Sequence, residues 1–152
     1  PRLSSDLLNV AGGDNIARQS QHGVFGRLSE EQVIAAQPDD YFATGFGNND
    51  AQGLLKLGPE VALDAVQSSF KQLTAQQNGL RELTALHNGH SAVIWMNFYL
   101  SPWHIAATEF MAKALYPQLF ADIEPEETLK QIFHDFLPIH YSGTYFAQLP
   151  AK

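Results

Sequence analysis

The sequence predicts an α/β domain, a three-layer sandwich in which a small, mostly parallel sheet is flanked by helices. Stretches with one apolar helical face alternate along the chain with short strands, which is the pattern of layered α/β folds. The two clearest strands, Tyr41–Thr44 running into Gly45 and Ala92–Met96, are apolar on both faces, as strands covered on each side by helices must be. The length, 152 residues, accommodates one sizeable core and is too short for two ordinary ones, so residues 1–152 read as a single domain.

Each element follows from local chemistry. The first helix takes Ser4 or Ser5 as its N-cap, sets Leu7, Leu8 and Val10 on one face and stops at Gly12-Gly13. A polar loop leads to Ser29-Glu30-Glu31-Gln32, a capping box that opens a helix carrying Val33, Ile34 and Ala36 and ending before Pro38. After the first strand, Asp50 caps a short helix through Leu57, stopped by Gly58. Pro59 suits the first turn of the next helix, whose stripe is Leu63, Val66, Phe70 and Leu73, closed by Asn78-Gly79. A helical turn around Arg81 to Leu86 reaches the turn Asn88-Gly89 and the second strand. Ser101-Pro102 then opens a helix carrying Ile105, Phe110, Met111 and Leu115. Pro125-Glu126-Glu127 opens another that buries Leu129, Ile132, Phe133 and Phe136, its acidic start favoured by the helix dipole. A tail follows from Pro138.

Composition removes several functions. The formal net charge is −7 and the nine lysines and arginines are scattered, which argues against nucleic acid as a partner. There is no cysteine, so thiolate metal sites, disulfides and cysteine nucleophiles are excluded. No apolar run approaches the roughly 20 residues of a membrane span, so the chain is not expected to be membrane-spanning. Pro1–Asn9 does not read as a signal peptide.

The motifs carry little chemistry of their own. Gly45-Phe46-Gly47 follows a strand, but Asp50 stands where a dinucleotide loop needs its third glycine, and a strand-end turn is the better reading. No Walker A sequence and no Gly-x-Ser-x-Gly elbow occurs. His87 and His90 flank a turn and read as solvated. His104 and Glu109, five apart, do not share a helix face. The acidic pairs Glu30-Glu31, Asp39-Asp40 and Glu126-Glu127 fit solvated helix starts, with nothing to mark an acid/base dyad. No cofactor or metal is expected.

The segment Asn97-Phe98-Tyr99-Leu100-Ser101-Pro102-Trp103-His104 stands out. It leaves a strand's carboxyl end and enters a helix, the place where open α/β sheets bind ligands. Asn97, Tyr99, Trp103 and His104 offer stacking faces and hydrogen-bonding groups. Asn48 and Asn49, after the first strand, are their counterparts. Packing of Phe98 and Trp103 against the sheet edge is the competing explanation.

Ala11-Gly12-Gly13-Asp14-Asn15-Ile16-Ala17 and Leu28-Ser29-Glu30-Glu31-Gln32-Val33 through Pro38-Asp39 resemble the C-terminal lobe of periplasmic binding proteins for ferric siderophores, haem and cobalamin. Leu83–His90 is similar to a later stretch of the same lobe, and Tyr116–Asp122 to its iron-linked members. Phe98–Pro102 and Ser142–Tyr145 resemble an iron-transporter subgroup. The resemblance implies one lobe of a two-lobed, helical-backbone solute-binding protein of an ABC importer. That protein would be periplasmic and not an enzyme, would hold an iron chelate between its lobes, and would dock on permease subunits. It further implies that the N-terminal lobe, the helix joining the lobes and this lobe's first strand lie outside the chain, and that Glu31 is the docking carboxylate. Arginine and tyrosine residues used by some ferric-siderophore binders have no clear match. Two other classes stand beside this: an α/β enzyme fragment, and a protein-interaction domain using the aromatic tail Tyr141–Phe146.

Overall fold

Strand β2 (Ser91–Trp95) is buried at all five positions and organises the domain. The computed structural model describes residues 2–18, 28–47 and 54–151. On one side β2 pairs in parallel with β1 (Tyr41–Gly45), Tyr41 opposite Ser91 and Gly45 opposite Trp95. On the other it pairs antiparallel with β3 (Phe146–Leu149), Ser91 opposite Leu149. The sheet order is β1-β2-β3. A strand with Ala92, Val93 and Ile94 buried needs apolar cover above and below, and the helices supply it.

Helices α1 (Arg2–Val10), α6 (His104–Leu115) and α7 (Pro125–Phe136) pack together as one layer. In the other, α2 (Glu30–Ala36) and α3 (Leu63–Gln76) both contact the short α4 (Asn78–Arg81). The short α5 (Thr84–His87) leads into β2. Val66 and Phe70 of α3, Met111 of α6, and Leu129 and Phe133 of α7 close the core with the β2 side chains. Each such side chain contributes about 1.5–3 kcal/mol by leaving water.

Several expectations need correction. Helix α1 begins at Arg2, so Ser4 and Ser5 lie inside it and do not cap it. Asp50–Gly53 lies outside the described residues. Leu54–Lys56 is not helical, and Leu57 makes an isolated bridge with Gly47, its amide donating to the Gly47 carbonyl at 3.3 Å. That pairing places Leu57 in the core, so tertiary contact overrides the short helical pattern. Pro59 falls in a turn, and α3 starts at Leu63. The tail from Pro138 contains β3, which the sequence did not announce.

The capping box is present. The Gln32 amide donates to Ser29 Oγ at 3.2 Å, and the Ser29 amide donates to Gln32 Oε1 at 2.9 Å. Ser29→Ala removes one acceptor from the helix start and is expected to cost about 1 kcal/mol, seen as a lower urea midpoint at unchanged slope. An unchanged midpoint would show that the cap does not support the folded lobe.

Candidate ligand-binding rim

Because β1 and β2 are parallel and in register, their carboxyl ends emerge side by side at Gly45 and Trp95. The antiparallel β3 begins at the same edge, and the Trp95 amide donates to the Tyr145 carbonyl at 2.7 Å. Two further loops reach this rim. Gly47 bridges Leu57, and the Gly58 amide donates to the Thr144 carbonyl at 2.7 Å.

An aromatic cluster fills the space beneath. The Trp95 ring meets Tyr145 edge-on at 5.1 Å, Phe98 edge-on at 5.7 Å, and Trp103 in a stacked arrangement at 6.2 Å. Phe133 of α7 lies 5.4 Å from Trp103 and 5.5 Å from Tyr145. Gly58, at φ +117°, is what lets the indole sit there: a Cβ at this position would stand 2.5 Å from Trp95 Nε1. Such tilted and offset contacts suit the ring quadrupoles and add rigidity beyond area burial.

The predicted residues divide into groups. Asn48 and Asn49 lie outside the described residues. Residues Met96–Leu100 form a 3₁₀ helix, which has about three residues per turn. Asn97 and Leu100 are exposed, Phe98 is buried and Tyr99 is half-buried. Tyr99 turns away from Trp103 into a separate groove of about 360 Å³ beside β1, shared with Phe42, Thr44, Leu8, Val33 and Met111. Burial there pushes its hydroxyl pKa up to about 12, so it is a neutral donor or acceptor at any physiological pH. Trp103 is half-buried, one face committed to Trp95. His104 is exposed at the start of α6. Its Nδ1 lies 2.9 Å from the Ser101 carbonyl, which can only accept, so Nδ1 donates there and Nε2 is left for another partner. Asn97 and His104 are thus exposed and Trp103 half-buried beyond the end of β2, whereas Tyr99 lines the groove beside β1.

Sequence reasoning overlooked three contributors. Trp95 read as an interior strand residue, yet it is the platform under Trp103. Tyr141, assigned to the tail, stacks on Tyr145 at 5.4 Å with Lys130 Nζ 5.8 Å from its ring centre. Its hydroxyl pKa is pushed up to about 12, chiefly by burial and further by Glu126. Glu60 holds a left-handed backbone at φ +61°, uncommon outside glycine, beside the Ser142 carbonyl. The Gly58-Pro59 pair was the available signal for that turn. Within the aromatic tail Tyr145 is 2% exposed and belongs to the core, while Tyr141 and Phe146 are half-buried.

Elsewhere, His90 Nδ1 stands 3.4 Å from Asp40, an acidic neighbour invisible in the local sequence. Among the described residues no group of three His, Cys, Asp or Glu comes together to hold a metal ion, and no helix is long and apolar enough to cross a membrane. Glu31 is fully exposed, and its own backbone amide and the Ser29 hydroxyl hold its carboxyl below the usual glutamate range.

The fold of this chain recurs in a solved structure. The TroA-like periplasmic binding protein FepB from Veillonella parvula superposes with a TM-score of 0.89 over 96% of this chain, at 28% sequence identity. The chain has the fold of one lobe of a TroA-like periplasmic binding protein. The lobe spans 42% of that chain's length. Neither a scan of family models nor a search of curated proteins finds a match. FepB is by its description a periplasmic binding protein.

Proposed function

We propose that the lobe belongs to the periplasmic solute-binding protein of an ABC importer, which captures an iron chelate and passes it to permease subunits without chemical turnover. The observation that carries this is the likeness to FepB across nearly the whole chain, together with a rim of aromatic and polar groups at the strand ends. Asn97, Trp103 and His104 form this lobe's half of the ligand surface, with Asn48 and Asn49 as candidates on the neighbouring loop and Tyr99 as a flanking group. A second lobe supplies the other half. Stacking on an indole and hydrogen bonds from an amide and an imidazole suit a planar or catecholate-like chelate that brings its own metal coordination. Glu31, exposed at the start of α2, is the contact to the permease.

Sharing a ligand between two lobes has a measurable consequence. If the intact protein binds at micromolar to nanomolar strength, about −8 to −12 kcal/mol, an even division leaves about −4 to −6 kcal/mol to each lobe. The 152-residue lobe is then expected to bind ferric chelates at near-millimolar to tens of micromolar strength. The two-lobed protein, purified from its host and analysed by native mass spectrometry, is expected to carry an iron complex. Nanomolar binding by the lobe alone would overturn the shared site, and a full-length protein that ignores every iron chelate would overturn the ligand class.

A further inference from the structure

A second concavity lies at the opposite end of the sheet from the rim. Leu149 pairs with Ser91, the first residue of β2, and with Phe70 and Leu86 it floors a cleft of about 680 Å³. That size falls within the range of small-ligand sites. One wall is a single face of α3, where Gln67, Phe70, Lys71 and Ala75 follow one another at helical spacing over about 12 Å. The other wall is the extended segment through Pro150 and Ala151. The floor side chains are buried: Phe70 is 5%, Leu86 1% and Leu149 4% exposed.

The charges around this cleft are unusual for the chain. The protein carries a formal charge of −7, yet the residues lining the cleft include Lys71, Arg81 and His87 and no carboxylate. Lys113 and Lys130 are held by glutamates, whereas Lys71 and Arg81 have no acidic partner among the described residues. Arg81 is also positioned. One guanidinium nitrogen donates to the Ala75 carbonyl at the end of α3, which leaves its remaining N–H groups for an anion. His87 Nε2 lies 2.8 Å from the Arg81 carbonyl, which can only accept, so that nitrogen carries the proton and the loop is pinned.

We infer that this cleft binds a small alkyl carboxylate, its chain along the apolar face of α3 and its carboxylate at the mouth, where it meets Lys71 and Arg81. An inorganic anion would leave the floor empty. A neutral lipid would leave two unpaired cations beside it. A second copy of the chain, acidic overall, offers charge complementarity only through a local acidic segment. The site is separate from the rim and stands whether or not the transport reading does.

The test is calorimetric titration of the 152-residue chain with decanoate below its micelle concentration, against decyltrimethylammonium as a cation of equal chain length. Saturable binding of one decanoate, weakening with salt, and no binding of the cation are expected. Lys71→Gln and Arg81→Gln should each weaken decanoate about tenfold, because each removes a charge-assisted contact. Both side chains are exposed, so melting temperatures should hold; if Arg81→Gln loosens the end of α3, Lys71→Gln carries the test alone. Equal binding of both amphiphiles, undiminished affinity in Lys71→Gln, no decanoate binding, or occupation by an acidic amphipathic peptide in its place would overturn the assignment.

Discussion

Gly143→Ala is expected to destabilise the lobe by about 4 kcal/mol, a large part of the roughly 5–15 kcal/mol that holds a domain of this size together. Two effects combine. Gly143 sits at φ +94°, where an L side chain is strained, at a cost of about 1–3 kcal/mol. A Cβ there would also lie 2.3 Å from the Gly58 carbonyl oxygen and 2.5 Å from the Glu60 nitrogen, both backbone atoms that cannot swing aside. Moving that backbone disturbs the Gly58–Thr144 bridge and with it the seat of Trp95. Gly47→Ala is the matched control. It has φ +67° but nothing within 4 Å of its Cβ, so strain alone should cost about 1 kcal/mol. Urea unfolding of both variants decides the matter. Equal losses would show that the close packing of the two rim loops contributes little.

Much of this architecture is legible in the sequence where local chemistry and burial agree. Strands β1 and β2 are continuous apolar runs between turn signals, and Ser29-Glu30-Glu31-Gln32 specifies its own cap. Strand β3 is different. Phe146–Leu149 is four residues long and lacks a clean alternation, and its identity comes from pairing with β2. Helix faces were also mistaken where size misleads. In α6 the large Ile105 is 51% exposed, while Met111 and the small Ala106, Ala107 and Ala112 are buried. Phe136, placed in the core by its spacing, is 77% exposed near the end of α7. The strand-end segment was recognisable by its composition, but which side chains share a surface was not. A 3₁₀ turn from Met96 to Leu100 sets Asn97 and Tyr99 on different sides, a choice no residue in that stretch announces.

On the proposed transport role, Glu31→Lys in the intact importer is expected to slow uptake at least tenfold while ligand affinity of the binding protein stays the same. If the lobe docks on a permease as proposed, the contact would rely on a few desolvated ion pairs, and truncating or reversing one member weakens such contacts strongly. Glu31 has the properties such a contact needs. It is exposed, and its own amide and the Ser29 hydroxyl keep its carboxyl below the usual range. It therefore remains ionised throughout physiological pH. Its neighbour supplies the control. Glu30 is exposed too but lies against α4, its Cβ and Cγ 3.0 and 3.1 Å from where a side chain on Gly79 would begin. Glu30→Lys changes the net charge by the same amount without presenting the new cation in the same direction. Glu31→Ala should show a smaller defect than Glu31→Lys, since it removes an attraction without adding a repulsion. The readout is initial uptake rate in cells alongside ligand titration of the purified two-lobed protein. Equal defects in Glu30→Lys and Glu31→Lys would reduce the effect to overall charge, and normal uptake in Glu31→Lys would remove the residue from the docking surface.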